Sequence, residues 1–268
     1  MIKAQLRSFV SRFPRLKACL RAMLNLLLPH RGVSSHYVEI ARDEALLNEN
    51  PLHQSWKSEL LPERQRILVD EQLAAFRNGQ DIVVFRSLVE SLRGLLREGE
   101  TMSVLEVGCS SGYYGEVFRI AGLPVVYAGC DYSQAFVDLA RARYPEFSFM
   151  VEDATHLSYG DGEFDIVVSG CCLLHIPRYQ AAVAETARVA RRYAVFHRTP
   201  VVLGQPNKYY RKKAYGIETV EIHFNEPDFL ALLDASGLEL IGTHTLEESI
   251  RGGMGNAVRT YVCRRKTA

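Results

Sequence analysis

The residues best suited to chemistry in this chain are acids at the ends of apolar runs. Val104-Leu105-Glu106-Val107-Gly108-Cys109-Ser110-Ser111-Gly112-Tyr113-Tyr114-Gly115 passes from a strand-like segment through an acid into a glycine-spaced turn, then into a helix-like segment. Glycines at the carboxyl edge of a strand let a ligand approach bare backbone N–H groups. Glu106 narrows the choice of ligand, because a carboxylate there repels a pyrophosphate and suits a cation or a group rich in donors. A second run, Val125 to Asp131, ends in an acid able to accept from both hydroxyls of a ribose. Tyr132 follows it, with Ser133 as candidate cap of an amphipathic helix bearing Phe136, Val137, Leu139 and Ala140. A third run, Phe147 to Ala154, ends in Glu152 and Asp153, and Asp153 suits an exocyclic amino group. Phe164 to Cys171 is a fourth run, apolar on both faces.

The glycine spacing separates two ligand classes. A dinucleotide fingerprint requires G-x-G-x-x-G. Gly108, Gly112 and Gly115 read G-x-x-x-G-x-x-G instead, with Ser110 where the middle glycine belongs. A cationic nucleoside carrying hydroxyl and amino donors, such as S-adenosylmethionine, suits all three acids. The runs V-L-E-V-G-C-S-S-G, C-D-Y-S, E-D-A-T and F-D-I-V-V-S-G-C-C-L-L-H-I resemble the class I S-adenosylmethionine-dependent methyltransferases, from about residue 85 to the C-terminus. The resemblance implies a Rossmann-like fold, S-adenosyl-L-methionine as cofactor and a methyl-transfer reaction. It implies that Glu106, Gly108 and Gly112 meet the methionine part, with Cys109 and Tyr114 beside them. Asp131 would hold the ribose, Tyr132 would lie against adenine or ribose, Asp153 and Ala154 would meet the adenine, and Gly170 would flank the cofactor. Ser110 departs from the glycine common in the family. A non-catalytic S-adenosylmethionine-binding protein and an NAD-linked oxidoreductase are the alternatives.

Acceptor chemistry belongs at the carboxyl ends of the fourth and fifth strands. His175 follows the fourth run, His197 and Arg198 end a fifth at Arg192–Thr199, and His223 precedes the last helix. The three histidines are expected to converge, with His197 or His175 the leading base. Methyl transfer is an in-line displacement in which positioning supplies most of the acceleration. A base is needed when a hydroxyl must lose its proton, and histidine titrates in the right range. Arg198 suits an anionic substrate group. Gln205 to Gly216 reads as a long irregular loop whose Tyr209 and Tyr215 suit stacking on a sugar or aromatic ring. The expected acceptor is a small molecule, with a hydroxyl of a polar, glycan or lipid-linked compound as first choice.

The elements that must position these groups are legible as alternating periodicities. Helical patterns cover 63–76, 85–96, 177–190 and 226–236, the last with Asn225 as cap. Strand patterns at 238–244 and 257–264 follow one another across the glycine-rich 251–256, so they pair antiparallel. The fold expected is α/β: a seven-stranded, mostly parallel Rossmann-like sheet with an antiparallel last strand, helices on both faces and a helical N-terminal extension. The extension is placed at 1–48 and the methyltransferase domain at 49–268, with 49–98 a helical cap and lead-in helix. Residues 37–98 read as helical, interrupted at Asn50-Pro51 and Leu61-Pro62 and stopped at Asn78-Gly79, and Trp56 is a candidate cover for the cofactor.

The chain has 268 residues, 47% of them hydrophobic and 24% charged, enough for one large core with a small attachment. A net charge of +1 lacks the basic excess of a nucleic-acid binder. Six cysteines with neither C-x-x-C nor zinc spacing read as packing thiols of a reducing, cytoplasmic compartment, with no metal site. The N-terminus differs from this average. Lys3, Arg7, Arg12, Arg15, Lys17, Arg21 and Arg31 alternate with apolar residues at helical spacing, ahead of Glu39, the first acid. Such a helix either lies peripherally on an anionic membrane face or packs on the protein body, and its apolar runs are too short to span. A homo-oligomer is open.

Overall fold

The glycine turn lies at the centre of a ten-stranded sheet, where the chain reverses its direction of travel across the strands. A computed structural model describes residues 34–47, 52, 54–251 and 254–266. The expected amphipathic helix at the N-terminus lies outside the described residues. Met1–Ser35 and His36–Ala268 are separate units, and of the first only Ser34 and Ser35 are described.

The elements run in order β1 (Ser34–Ile40), α1 (Arg42–Leu47), a 3-10 turn (Ser55–Lys57), α2 (Leu61–Arg77), α3 (Val83–Arg93), β2 (Met102–Val107), α4 (Tyr113–Ile120), β3 (Val125–Asp131), α5 (Gln134–Arg143) and β4 (Ser148–Val151). There follow β5 (Phe164–Gly170), a 3-10 turn (Leu173–His175), α6 (Tyr179–Val189), β6 (Ala190–Leu203), β7 (Lys208–Ala214), β8 (Ile217–Asn225), α7 (Glu226–Ala235), β9 (Leu238–Arg251) and β10 (Met254–Arg265). The strands expected from the sequence form one continuous order, β4-β3-β2-β5-β6-β10-β9, parallel except for β10, which runs antiparallel to both β6 and β9. The chain leaves β2 toward β3 and β4, then returns to place β5 on the other side. A crevice opens at the carboxyl ends of β2 and β5 in such a topology.

Central parallel strands are covered on both faces, and their sequences show it. Leu105, Val107, Val167, Ala194 and Phe196 point to one layer, with Val183 and Ala187 of α6 and Phe229 and Leu233 of α7. Val104, Ile166, Val168 and Val195 point to the other, with Phe85, Leu88 and Leu92 of α3 and Val117 and Phe118 of α4. This alternation decides which side of the sheet each site residue faces. At the end of α7's approach, the Asn225 side chain accepts from Asp228 N–H at 2.9 Å, the expected cap. Ser133 occupies the cap position of α5, but its hydroxyl makes no cap bond; Asp131 instead accepts the Ser133 N–H at 3.0 Å.

Three strands lie outside the expected set. Residues 34–40 form β1, not the helix that 37–98 was read to begin. The stretch read as an irregular loop, 205–216, contains β7, which pairs antiparallel with β8. Ala214 faces Ile217 across Tyr215 and Gly216, whose φ values of 48° and 84° fit a two-residue type I′ turn. β7 carries no apolar alternation because a charge, Lys212, is buried on its inner face and paired with Glu221 of β8.

β6 is the hinge between the two parts of the sheet. Along one edge it pairs with β10 from Tyr193 to Leu203. Along the other it pairs with β5 as far as His197 and with β8 from Val201. The sheet therefore forks at Arg198. No helix among the described residues is long and apolar enough to cross a membrane.

Candidate functional site

The turn after β2 is built from backbone conformations that the sequence specifies. Gly108 and Gly112 have φ of 75° and 73°, where a side chain is disfavoured. A Cβ on Gly108 would also lie 2.4 Å from Cβ of Cys172, so glycine here lets the turn pack against the loop after β5. Ser110, the departure from the family pattern, has φ 52°, the conformation that favours glycine. Its N–H donates to Asp131 Oδ2 at 2.9 Å, and its hydroxyl meets Gln65 of α2. Gly115 serves packing rather than the ligand: a Cβ there would lie 2.6 Å from the Phe147 ring.

Two of the three strand-end acids are gathered around this turn. Asp131 is 9% exposed and receives one N–H bond on each carboxylate oxygen, from Ser110 and Ser133. Burial pushes its pKa up to about 6 against the pull of those donors. Glu106 shares the helix-covered face with Val104 and is 2% exposed. It accepts from the Tyr127 hydroxyl, and burial holds its pKa well above the usual carboxylate range. A Cβ on Gly170 would lie 2.4 Å from Glu106 Oε1, so glycine at 170 makes room for that carboxylate.

Asp153 is exposed, and its Oδ1 accepts from both the backbone and the hydroxyl of Thr155, at 2.8 Å each. It thus organises its own turn, beside half-buried Ala154. Cys109 is 1% exposed and packs over Gly129, which leaves its backbone, not its thiol, for a ligand. Burial raises the thiol pKa of Cys109, Cys130, Cys172 and Cys263, as expected of packing thiols.

A cover crosses the crevice from the N-terminal side. The Trp56 indole N–H donates to Thr219 Oγ1 of β8 at 2.8 Å. Its ring centroid lies 4.7 Å from that of His175 and 6.5 Å from that of Tyr215. Beside it, the Lys57 ammonium stands 5.2 Å over the Tyr132 ring. Neither Gln65, Lys57 nor the Lys212–Glu221 pair carried a sequence signal, since their roles come from contacts with distant segments.

The three histidines do not meet in one pocket: His175 and His223 both bear on Glu221, and His197 lies apart in the core. His197 is 1% exposed, on the face that Val195 shares with α3 and α4. Its Nε2 lies 2.9 Å from the Tyr114 hydroxyl and its Nδ1 2.8 Å from Thr260 Oγ1. Burial and the nearby Arg198 charge hold its pKa well below 6.5. It is a neutral brace inside the core, and the expectation of His197 as base is corrected. His223 lies on the ribbon, bonding Glu221 through Nε2 at 2.8 Å and packing on Tyr210. Glu221, held to about 2 by His223, Lys212 and His175, ties His223 to the Lys212 side of the ribbon. His175 stands at the crevice itself, where its Nδ1–H donates to the Val220 carbonyl at 2.6 Å.

The acceptor residues divide too. Tyr215 lies beside Trp56, and Arg198 at the fork, but Tyr209 packs on the core layer that holds Phe224 and Tyr179. Tyr209 lies near the start of β7 and Tyr215 in the turn beyond its end, about 20 Å along the strand, which corrects their placement together.

Residues 105–196 match a family model described as a methyltransferase domain. With the strand order and the acids already in view, that match agrees with the resemblance carried by the motifs. Over those residues the chain carries a methyltransferase-type domain. It is 33% identical over 88 residues to a demethylmenaquinone methyltransferase of Renibacterium salmoninarum, covering 33% of this chain and 36% of that one. The chain spans roughly a third to a half of the length of the curated relatives it matches. The fold of the Burkholderia thailandensis 1,6-didemethyltoxoflavin-N1-methyltransferase, solved with its acceptor and S-adenosylhomocysteine, superposes with a TM-score of 0.52 at 19% identity, over 76% of this chain and 90% of that one. A methyltransferase of Methanosarcina mazei superposes with a TM-score of 0.51 at 19% identity, over 66% and 97%. The methyltransferase domain's cofactor is S-adenosylmethionine. The residues fit it: a buried carboxylate bonded to a turn of left-handed backbone, with a second buried acid instead of a phosphate cradle.

Proposed function

We propose that this protein transfers a methyl group from S-adenosylmethionine to an oxygen of a small molecule. The observation that carries this reading is the bond from Ser110 N–H to Asp131, which brings the glycine turn of β2 and the acid of β3 to one rim. On this reading Glu106, Gly108 and Gly112 border the methionine part, Asp131 and Tyr132 the ribose, and Asp153 with Ala154 the adenine. Bound S-adenosylmethionine supplies an electrophilic methyl group on a sulfonium.

The chain's own residues then have three tasks. The turn and Asp131 orient the nucleoside, and Trp56 and Lys57 exclude water from above. His175 takes the acceptor's proton. Its Nδ1–H bond to the Val220 carbonyl puts the neutral ring's lone pair on Nε2, and Trp56 holds the ring plane. Arg198 and Tyr215 border the acceptor.

Full-length protein incubated with methyl-labelled S-adenosylmethionine and a small-molecule cell extract is the test. Labelled product together with S-adenosylhomocysteine is the expected result. Tight binding of S-adenosylmethionine without turnover in any extract would favour a non-catalytic role. Calorimetric binding of NAD in preference to S-adenosylmethionine would overturn the reading altogether.

A further inference from the structure

We propose that the methyl acceptor carries an oxyanion, a carboxylate or a phosphate, and that Arg198 seats it at the fork between β5 and β8. This rests on the methyltransferase reading above and names its substrate class. The backbone supplies the first ground. Arg198 has φ 59° and Cys171, facing it at the end of β5, has φ 61°. The Cys171 N–H donates to the His197 carbonyl at 3.1 Å, so the two left-handed residues are joined across the strand ends. Side-chain-bearing residues adopt this region at a cost in free energy, and such strain is retained where it aims a group. Here it interrupts the regular alternation of β6 where the sheet forks, and Arg198 stands beside Tyr113 and Tyr114 of α4.

Charge supplies the second ground. Among the described residues no carboxylate pairs with half-buried Arg198, whereas Arg66, Arg188, Arg192 and Arg259 each hold one. Around its charge stand Cys171 and the phenols of Tyr114, Tyr113 and Tyr215, whose pKa values burial raises. A half-buried cation without a carboxylate partner favours an anion beside it, and a guanidinium fork matches a carboxylate or phosphate edge with two parallel bonds. Position supplies the third. Tyr215 reaches Trp56, which packs on His175, so the seat adjoins both the cover and the candidate base.

Calorimetry of the full chain with benzoate, phenyl phosphate and the neutral isostere benzamide tests the seat without knowing the acceptor. Either anion should bind roughly ten- to a hundredfold tighter than benzamide, the worth of hydrogen bonds to a charged group. Arg198→Met should abolish the preference, and Arg198→Lys, which keeps the charge but not the fork, should retain part of it. Equal binding of anion and amide by the wild type, no binding of either anion, or a preference surviving in Arg198→Met would overturn the proposal. The wild-type ratio decides alone if the variants fail to fold. S-adenosylhomocysteine is titrated separately: its failure to bind, with the anion preference intact, would refute the methyltransferase reading and leave the anion seat standing.

Discussion

The Tyr114 hydroxyl lies 2.9 Å from His197 Nε2, joining the first turn of α4 to the middle of β6 beneath the glycine turn. Thr260 holds the other ring nitrogen, so one imidazole links α4, β6 and β10. The glycine turn leads directly into Tyr113 and Tyr114, and this link fixes the height at which α4 meets the sheet.

His197 should make stability fall as the solution is acidified. Its folded pKa lies well below 6.5, while in the unfolded chain it takes up a proton near that value. The stabilisation is therefore complete above about pH 6.5 and is lost as pH falls toward the folded pKa. Between pH 7 and pH 5 the melting temperature of the wild type should drop more steeply than that of His197→Asn. Parallel melting curves against pH would remove the buried neutral imidazole from the account.

Asp131 should impose a pH dependence of the same direction on cofactor binding. Its carboxyl titrates at about 6, and ribose hydroxyls donate to the ionised form. Affinity for S-adenosylhomocysteine should weaken as pH falls below that value. Asp131→Ala should lose about 1.5–3 kcal/mol of binding and the pH dependence with it. Isothermal titration across the range checks both.

His175→Ala should lower turnover roughly a hundredfold or more, the usual worth of general base catalysis, with S-adenosylhomocysteine affinity unchanged. His197→Asn, by contrast, should alter stability more than chemistry. Steady-state kinetics on the labelled-methyl assay separates the two histidines, and full activity in His175→Ala would exclude it as base.

Gly108→Ala should be destabilising by about 2 kcal/mol or more, from its left-handed backbone and an overpacked contact. The added Cβ would lie 2.4 Å from Cβ of Cys172. Pairing it with Cys172→Gly should restore part of the loss. Denaturant titration of the single and double variants measures the difference, and no recovery would place the cost in the backbone alone.

Lys212→Met should cost about 3–5 kcal/mol, because it strips the principal counter-charge from a buried carboxylate. Glu221 is 6% exposed and held near 2, so its contribution is present above about pH 4.5 and lost as pH falls toward that value. The double variant Lys212→Met with Glu221→Leu should be less destabilised than Lys212→Met. Chemical unfolding of all three variants provides the comparison.

Local chemistry determined a large part of this protein. Apolar runs of period two or none located β2, β3, β4 and β5, the first three closed by an acid; Gly108 and Gly112 marked a turn that tolerates no ordinary side chain; Asn225 marked its helix start. These features depend on neighbours in the chain, so one sequence suffices to read them. Tertiary structure alone decided the rest. β7 hides in the sequence because Lys212 enters the interior only with Glu221 of another strand as its partner. His197 and His175 look alike as strand-end histidines, yet strand alternation sends His197 into the core against Tyr114, while His175 lies in the 3-10 turn after β5 and packs on Trp56. A side chain's face, and the partner that makes its burial tolerable, are set by contacts between segments far apart in sequence, and no local pattern encodes them.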